Sequence, residues 1–493
     1  MNRIEIDLAR TLGSISRNLF GGFTEHLGRC IYGGLYEPTS PLADKDGFRT
    51  DVLAALKRLQ VPVVRYPGGN FVSGYRWMDG IGPKADRPRR IDMAWNDVDS
   101  NEFGTNEFIT LCRKLNWEPY LVVNCGDGDM REARDWVEYC NSAKNTALAN
   151  LRRKHGYEAP HNVKYWGIGN EVDGPWQIGY KTPEEYARAY LEFAKVMRWI
   201  DPSIKLVASA ASHWLGGTVV ERTQLLMEQA SQFIDYLSIH WYVGNPEDDY
   251  EHYMAQSELI EERLFAYEGL IRALSLQQGI SRIPVAVDEW NVWYRTHPAT
   301  MKPGTNWFGL EEVYNLEDAL MVGVQMNSII RHAYSVKMAN IAQLVNAIAP
   351  IFTDKERMVL QTIFFPFEVY SQTCGTTALD VFWQGDTFST ANYTGVRVLD
   401  VSATLDEDKR QLTVYVVNRS RAQAQETTIN LTSGRFAGSV QAYVINGSDI
   451  KAENTFGAPN EVGTTQSTLA AKQEHSFTYT FEPHSVTALV FTL

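Results

Sequence analysis

Two glutamates, Glu171 and Glu289, each follow an apolar run, and through them this sequence could most directly do chemistry. Glu171 ends the segment 165–171 (YWGIGNE), in which an apolar run stops abruptly at Gly-Asn-Glu. Glu289 follows a second run of the same kind, 283–288 (IPVAVD). We interpret both runs as strands whose carboxyl ends deliver acidic side chains. The pattern therefore predicts that Glu171 and Glu289 face each other across one pocket.

Two carboxyl groups in one pocket are suited to the hydrolysis of a glycosidic bond. One carboxyl protonates the leaving oxygen, and the other attacks the anomeric carbon or activates a water molecule. Carboxyl groups roughly 5 Å apart predict retention of the anomeric configuration, whereas a gap of roughly 6.5–9.5 Å predicts inversion. At this point both stereochemical outcomes stay open.

Most of the other predicted strands also end in polar side chains. Burying polar groups at a dry sheet end is costly, so seven polar strand ends out of eight indicate a shared functional site. In chain order the further candidates are Glu25 and His26, Arg65 and Asn70, Asn124, Asn170, His240 and Tyr242, and Gln343 and Asn346.

Eight apolar runs alternate with helical segments over most of the chain. Such runs are typical of parallel strands that are covered on both faces. They are the run that begins at Phe20 and the segments 61–66, 119–124, 163–169, 205–210, 234–241, 283–288 and 338–345. Eightfold strand–helix alternation predicts a (β/α)8 TIM barrel, an α/β fold. A doubly wound sheet is the alternative, but no GxGxxG loop follows Gly21 and Gly22 in the first strand.

The helical segments carry apolar residues at helical spacing. The clearest begins at Thr182, where an N-cap threonine, Pro183 at the first helical position and Glu185 three residues after the cap form a helix start. We expect this helix to run to about Ile200. Further helices are predicted over 51–59, 106–115, 221–231, 254–276 and 316–334.

Near residue 375 the pattern changes to short alternating runs separated by turns rich in Asn, Gly and Ser. The clearest runs are 413–417, 440–444, 476–481 and 487–491. They predict a C-terminal antiparallel β-sandwich of jelly-roll type. The alternating strand 4–8 precedes the first barrel strand, and we expect it to join the sandwich. The predicted division is 1–17 for this strand, 18–375 for the barrel and 376–493 for the sandwich.

Composition narrows the class of partner. The 493 residues carry a formal net charge of −13, which argues against nucleic acid or an anionic membrane as a partner. The five cysteines are odd in number and form no CxxC motif, which favours a reducing compartment. The N-terminus has no unbroken apolar segment of the signal-peptide type, and no charge-free apolar stretch is long enough to span a membrane.

Each candidate also has a purely structural interpretation. Asp288 and Glu289 could cap a following helix, Arg65 could form an ion pair at the bottom of the barrel, and His240 could be a core histidine. The cluster Trp290, Trp293 and Tyr294 could be plain packing. A binuclear metal site is disfavoured because HxH and HExxH are absent, and a serine nucleophile elbow, GxSxG, is absent too. We predict no metal and no cofactor.

Five long motifs in the barrel region resemble those of the α-L-arabinofuranosidases of glycoside hydrolase family 51. They are 20–29 (FGGFTEHLGR), 64–75 (VRYPGGNFVSGY), 169–177 (GNEVDGPWQ), 288–294 (DEWNVWY) and 342–351 (AQLVNAIAPI). The resemblance implies a retaining, exo-acting hydrolase that releases terminal α-L-arabinofuranosyl residues from arabinan, arabinoxylan or their oligosaccharides. It also implies a cytoplasmic enzyme without a cofactor, assembled as a homo-oligomer, often a hexamer.

The resemblance assigns roles by matching position. Glu171 would be the acid/base and Glu289 the nucleophile. Asn170 would hydrogen-bond the sugar's 2-hydroxyl, and Arg65 would bond the nucleophile and keep it ionised. The residues that would line the pocket for the terminal sugar are Glu25, Arg65, Asn70, Asn170, His240, Tyr242 and Gln343.

The sequence departs from the family pattern in two places near the expected pocket mouth. Trp241 stands where glutamine is common, and the segment 125–129 (CGDGD) is more acidic than usual. Both departures bear on linkage and aglycone preference. Two alternatives stay open: an endo-glucanase or β-xylosidase on the same fold, and a non-catalytic carbohydrate-binding protein.

Overall fold

Eight parallel strands close into a barrel in the order β10-β11-β2-β3-β6-β7-β8-β9, which confirms the predicted TIM barrel. The computed structural model describes residues 2–214, 218–293, 310–471 and 474–493. Tyr294, the last member of the predicted aromatic cluster, lies outside these residues. The barrel strands are β2 (Gly21–Phe23), β3 (Val63–Tyr66), β6 (Glu118–Val123), β7 (Tyr165–Ile168), β8 (Lys205–Ala211), β9 (Tyr236–Val243), β10 (Val285–Val292) and β11 (Val336–Ala342).

Helices surround the barrel. They are α1 (Thr50–Arg58), α2 (Thr105–Leu115), α3 (Met130–Asn141), α4 (Ala147–Lys154), α5 (Pro183–Ile200), α6 (Val219–Ala230), α7 (Tyr250–Ala255), α8 (Ser257–Gln278), α9 (Leu316–Arg331) and α10 (Phe364–Thr373). The predicted capping box of α5 is present, since Thr182 Oγ1 accepts from the Glu185 N–H and the Glu185 carboxylate accepts from the Thr182 N–H. Within the described residues, no helix combines the length and the apolar character needed to cross a membrane.

Side chains alternate along the barrel strands, as the strand period requires. Val64 and Leu121 face outward and belong to the large core between barrel and helices. Val63, Tyr120 and Val122 face inward and belong to a separate, smaller core. The interior of the barrel is therefore filled by side chains, so a pocket can lie only at an end of the barrel.

The C-terminal region forms one nine-stranded sheet in the order β21-β20-β23-β18-β17-β14-β1-β19-β22. Its strands are β1 (Asn2–Ser14), β14 (Thr377–Gln384), β17 (Leu399–Asp406), β18 (Gln411–Asn418), β19 (Gln425–Leu431), β20 (Ala437–Asn446), β21 (Gly463–Ala470), β22 (Ser476–Phe481) and β23 (Ser485–Thr492). Three two-stranded ribbons complete the strands: β4 (Arg90–Asp92) with β5 (Asp97–Asp99), β12 (Ile351–Thr353) with β13 (Met358–Leu360), and β15 (Thr387–Phe388) with β16 (Val396–Arg397).

This sheet is mixed, whereas the sequence predicted an antiparallel one. The N-terminal strand β1 pairs antiparallel with β14 and parallel with β19, and the other neighbours in the sheet are antiparallel. The sheet also curls over itself. The rings of Phe477 on β22 and Phe491 on β23 lie 5.3 Å apart, although five strands separate β22 from β23 in the sheet. The predicted domain limits at 17/18 and 375/376 stay a prediction.

The inner helices α9 and α10 join the barrel to this sheet. Tyr370 stacks on Tyr415 with ring centroids 4.1 Å apart. At the end of α9, Arg331 bonds Asp400 on β17 at 3.1 Å, and the neighbouring His332 lies 2.9 Å from a carboxylate oxygen of Glu261. Charged side chains are thus buried where the two parts meet, and each has a partner of opposite sign.

The stability of the fold around α9 should depend on pH through His332, which links the end of this helix to Glu261 and Glu268 on α8. Burial disfavours the charged ring, but the hydrogen-bonded carboxylates of Glu261 and Glu268 outweigh burial and raise the pKa of His332 to about 9. A raised pKa gives stability that is complete below the unfolded value near 6.5 and is lost as pH rises through about 9. We expect His332→Gln to lower the free energy of unfolding by about 3 kcal/mol at pH 6.

Urea unfolding at pH 6, 8 and 10 measures this effect. The gap between wild type and His332→Gln should shrink as pH rises, and a gap that is constant over this range would contradict the account. His252→Gln, at a half-exposed histidine on α7, is the matched control.

Candidate active site

Glu171 leaves the carboxyl end of β7 through a sharp change of backbone direction. Gly169 has φ +78° and Glu171 itself has φ +42°, a conformation that costs a residue with a side chain of order 1–3 kcal/mol. A Cβ on Gly169 would lie 2.8 Å from Val172 and 2.9 Å from Cys125, so only glycine fits there. The Gly-Asn-Glu sequence therefore turns the chain so that Asn170 and Glu171 point into the barrel mouth.

Glu289 lies within β10, which continues to Val292, whereas the sequence predicted that this strand ends at Asp288. The register of β10 against β9 shifts between Ala286 and Glu289. This irregularity explains how two consecutive residues, Asp288 and Glu289, both contact groups inside the barrel. Neither residue caps a helix.

The two glutamates are close. A carboxylate oxygen of Glu171, one of Glu289 and a ring nitrogen of His240 all lie within 4.8 Å of one another. This separation matches the short carboxyl distance of retaining glycosidases and leaves less room than the inverting arrangement requires.

Glu289 is held by two donors. Tyr242 donates its hydroxyl to Oε1 at 2.8 Å, and Arg65 donates Nη1–H to Oε2 at 2.8 Å. Arg65 is buried, lies over the Phe23 ring and also donates to the Asp288 carbonyl at 3.1 Å. The carboxylate of Glu289 is thus oriented by strands β3 and β9 and has a positive charge beside it.

Glu171 has a different environment. His240 Nδ1 lies 2.9 Å from Oε1, and Trp176 donates its indole N–H to Oε2 at 2.7 Å. Burial is the largest influence and, together with the charge of Glu289, raises the pKa of Glu171. The two carboxyl groups of the pair therefore differ in surroundings, as an acid/base and a nucleophile require.

His240 connects the pair to Asp288. Its Nε2 lies 3.3 Å from Asp288 Oδ1, and Tyr120 donates to Asp288 Oδ2 at 2.7 Å. Burial opposes charge on the imidazole, but the carboxylates of Glu289, Asp288 and Glu171 outweigh burial and raise the pKa of His240 to about 10. His240 is therefore a buried histidine that contacts Glu171 and Asp288, and its role in binding the sugar stays a prediction.

Glu25 forms a third acidic group at the mouth. It accepts from Phe71 N at 3.1 Å, from the Trp95 indole at 3.0 Å and from Gln343 Nε2 at 2.8 Å. Burial and the charge of Glu289 outweigh these donors and raise the pKa of Glu25 to about 7.

These groups border a cavity of about 490 Å³. Arg65, Asn170 and His240 are buried behind its wall. Arg65 bonds Glu289 and Asn170, and a ring nitrogen of His240 lies at bonding distance from Glu171. The residues that line the cavity are Glu25, Leu27, Asn70, Trp95, Glu171, Trp176, Ser212, Tyr242, Glu289, Trp293, Leu310, Gln343 and Ile348. All nine predicted site residues therefore lie at one end of the barrel.

Three other polar strand ends have structural roles. Asn124 binds its own loop, accepting from Gly126 N at 2.9 Å and Gly128 N at 3.1 Å. His26 lies 2.9 Å from the Tyr66 hydroxyl, and burial lowers the pKa of His26. Asn346 donates to Arg29 O at 2.8 Å and bonds Thr353. These residues shape the loops around the cavity.

Sequence reasoning missed Trp95 as a site residue and assigned no role to Trp176 or Gln177. Trp95 lies in the ribbon formed by β4 and β5, away from any strand end of the barrel. Trp176 and Gln177 lie inside the 169–177 motif. The signal that could have identified Trp176 as a site residue was its position five residues after the candidate acid Glu171.

A metal ion would have to displace existing bonds at this site. Among the described residues, one group of three potential ligands lies close together: Glu171, His240 and Glu289. Both oxygens of Glu289 already accept hydrogen bonds, from Tyr242 and Arg65.

A closed parallel barrel with two facing glutamates at its mouth defines a glycoside hydrolase. Two family models match the chain, the α-L-arabinofuranosidase 1 domain over residues 55–259 and the α-L-arabinofuranosidase C-terminal domain over residues 288–485. The intracellular exo-α-(1→5)-L-arabinofuranosidase 1 of Bacillus subtilis is 39% identical and covers 98% of this chain and 97% of its own length.

Solved structures agree with these matches. The α-L-arabinofuranosidase of Thermotoga maritima, solved as an arabinose complex, matches this chain with a TM-score of 0.91 and 38% sequence identity. The match covers 100% of both chains. A family 51 α-L-arabinofuranosidase from Bifidobacterium longum has a TM-score of 0.93 at 34% identity, with 99% of both chains covered. The chain belongs to the α-L-arabinofuranosidases of glycoside hydrolase family 51.

The indole of Trp176 should influence the alkaline limb of the pH profile, which the ionisation of Glu171 sets. An indole N–H can only donate, so it favours the ionised form of Glu171. We expect Trp176→Phe, which keeps an aromatic ring but removes the donor, to shift the alkaline limb of the kcat/KM–pH profile to higher pH.

The pH dependence of aryl arabinofuranoside hydrolysis measures this shift. Trp199→Phe, at a tryptophan on α5 that is 76% exposed, is the matched control. An alkaline limb that stays in place, or moves to lower pH, in Trp176→Phe would show that the bond does not act on the acid.

Proposed function

We propose that this chain removes terminal, non-reducing α-L-arabinofuranosyl residues from arabinan, arabinoxylan or their oligosaccharides, with retention of configuration. The observation that carries the mechanism is that a carboxylate oxygen of Glu171 lies within 4.8 Å of one of Glu289. The substrate follows from the family and from relatives named as exo-α-(1→5)-L-arabinofuranosidases.

In the first step Glu171 acts as general acid. Its carboxyl proton passes to the glycosidic oxygen while an oxygen of Glu289 attacks the anomeric carbon. The bond between that carbon and the leaving oxygen breaks, the aglycone leaves as an alcohol, and an arabinosyl ester forms on Glu289. The raised pKa of Glu171 suits this role, since burial favours the protonated form.

In the second step Glu171, now ionised, acts as general base. It takes a proton from water, the water oxygen bonds to the anomeric carbon, and the ester bond to Glu289 breaks. Arg65 and Tyr242, each 2.8 Å from Glu289, stabilise the carboxylate as its charge returns. Glu171 is then protonated again and the cycle closes.

The remaining predicted residues are proposed to hold the terminal sugar. In this proposal Asn170 bonds the 2-hydroxyl, a contact that strengthens as the anomeric carbon becomes positive. Glu25, Asn70 and Gln343 line the same cavity with carboxylate and amide groups. Such groups recognise hydroxyls, and Trp95 adds an apolar face beside Glu25.

A panel of 4-nitrophenyl glycosides tests the substrate, and proton NMR of the first-formed sugar tests the stereochemistry. We expect rapid release from the α-L-arabinofuranoside and an initial α-anomer. Release from a β-D-xyloside or a cellooligosaccharide alone would support the β-xylosidase or endo-glucanase alternative. No turnover of any glycoside would support a binding protein.

We also propose that the enzyme acts in the cytoplasm and assembles into a homo-oligomer, with six copies as the expected number. Relatives that are named intracellular support the first point. Exposed apolar side chains support the second, among them Ile91, Met93 and Leu276. Light scattering on the purified chain measures the number of copies, and a monomer would contradict the assembly.

Glu289→Ala should abolish hydrolysis. The change removes the atom that bonds to the anomeric carbon, and we expect kcat to fall by about 10⁴-fold or more, as for the loss of other covalent catalytic groups. Steady-state kinetics on the aryl arabinofuranoside measure the fall. Wild-type activity in this variant would refute the assignment.

Glu171→Ala should have an effect that depends on the leaving group. A good leaving group departs without a proton, so the first step should survive on 4-nitrophenyl substrates while poor leaving groups are not released. Azide, which needs no general base, should restore turnover and yield an arabinosyl azide. Equal losses on good and poor leaving groups, with no azide rescue, would contradict the role.

A further inference from the structure

Four buried side chains form a chain of hydrogen bonds behind the site. Arg65 Nη2 donates to Asn170 Oδ1, Asn170 Nδ2 donates to Gln177 Oε1 at 3.4 Å, and Gln177 Nε2 donates to Ser73 Oγ. The exposed fractions of these four residues range from 1% to 4%, so water does not compete for the bonds. Gln177 and Ser73 have no part in the mechanism described so far.

Arg65 determines which atom donates and which accepts in each bond of this hydrogen-bonded row. A guanidinium has donors only, so the atom of Asn170 that faces Arg65 must be its oxygen. The amide nitrogen of Asn170 then faces Gln177, which must present its own oxygen. Gln177 Nε2 is left for Ser73, whose hydroxyl can accept. Each amide in the row therefore has one satisfactory orientation.

The turn after β7 brings Gln177 back onto the catalytic strand end. Gly174 N donates to Glu171 O at 2.8 Å, and Gln177 N donates to Gly174 O at 3.0 Å. Two successive turns thus reverse the chain, and Gln177 meets Asn170 from the side opposite to Arg65.

The amide nitrogen of Asn170 also borders the space beside the nucleophile. A Cβ built on Gly69 would lie 3.4 Å from Asn170 Nδ2, 3.3 Å from Glu289 Oε2 and 3.4 Å from Glu25 Oε2. These three polar atoms therefore converge on one point, which glycine leaves free. An amide nitrogen carries two hydrogens, so one can bond Gln177 while the other is left to donate to a sugar hydroxyl.

We propose that Gln177, supported by Ser73, is a positioning residue that fixes the amide of Asn170 with its N–H toward the sugar's 2-hydroxyl. The inference rests on the proposed function, because it concerns how that site holds its sugar. Without Gln177, the second N–H of Asn170 would be buried without a partner, and the amide would lose its fixed plane. The contact between Asn170 and the 2-hydroxyl would then be weaker. Because this contact is strongest in the transition state, its loss should lower kcat.

The test compares Gln177→Met, which keeps the volume but removes both bonds, with wild type on two substrates. They are 4-nitrophenyl α-L-arabinofuranoside and its 2-deoxy analogue, with spontaneous hydrolysis subtracted. We expect kcat/KM for the 2-hydroxy substrate to fall about 10- to 100-fold, mainly through kcat, as for other small misplacements of a catalytic contact. For the 2-deoxy substrate, which cannot use the contact, kcat/KM should change less than about threefold.

Two further variants keep the test decisive. Gln325→Met removes a buried glutamine that accepts from Trp241 Nε1 at 2.9 Å, and its effect, whatever the size, should be equal on both substrates. Ser73→Ala removes only the last acceptor and should give a smaller loss that is again confined to the 2-hydroxy substrate. If Gln177→Met does not fold, Ser73→Ala decides the question by the same criterion.

Equal losses on the two substrates would overturn the positioning role and leave the proposed function intact. If wild type itself releases no nitrophenol from the arabinofuranoside, the proposed function fails instead. The two failures are distinguishable because the first is seen only in the variants.

Discussion

The site depends on one buried cation, the guanidinium of Arg65. It bonds Glu289, the Asp288 carbonyl and Asn170, and it lies over the ring of Phe23. Isolated charges are costly to bury, so the carboxylates that crowd this end of the barrel need a positive partner at bonding distance. Arg65 supplies that charge and, because its donors are fixed in a plane, also orients the groups that it touches.

His240 complements Arg65 on the other side of the pair. It reaches Glu171 through Nδ1 and Asp288 through Nε2, so the acid/base and the deepest carboxylate share one imidazole. Asp288 is kept ionised, since Arg65 and His240 outweigh burial and hold its pKa well below the usual range. The two glutamates therefore differ in their hydrogen-bond partners. Glu289 contacts a guanidinium and a phenol, whereas Glu171 contacts an imidazole and an indole.

Much of this arrangement could be predicted from the sequence, because parallel barrel strands must place their carboxyl ends together. The apolar runs and the polar residues after them located Glu171, Arg65 and Gln343 without any structure. The register shift of β10 against β9 could not be predicted, since such a shift does not alter the pattern of apolar residues in the sequence. Trp95 was missed because it reaches Glu25 from a ribbon far from any strand end. The parallel pairing of β1 with β19 was missed because an isolated alternating strand does not reveal its neighbours.

The most direct test of the central claim is mass spectrometry of the covalent intermediate. Glu171→Ala, mixed with an aryl arabinofuranoside, should complete the first step and stall before the second, because no general base remains. The account predicts that one arabinosyl group is added per chain and that peptide mapping places it on Glu289. An adduct on another residue, or an intact unmodified chain while nitrophenol is released in a burst, would contradict it.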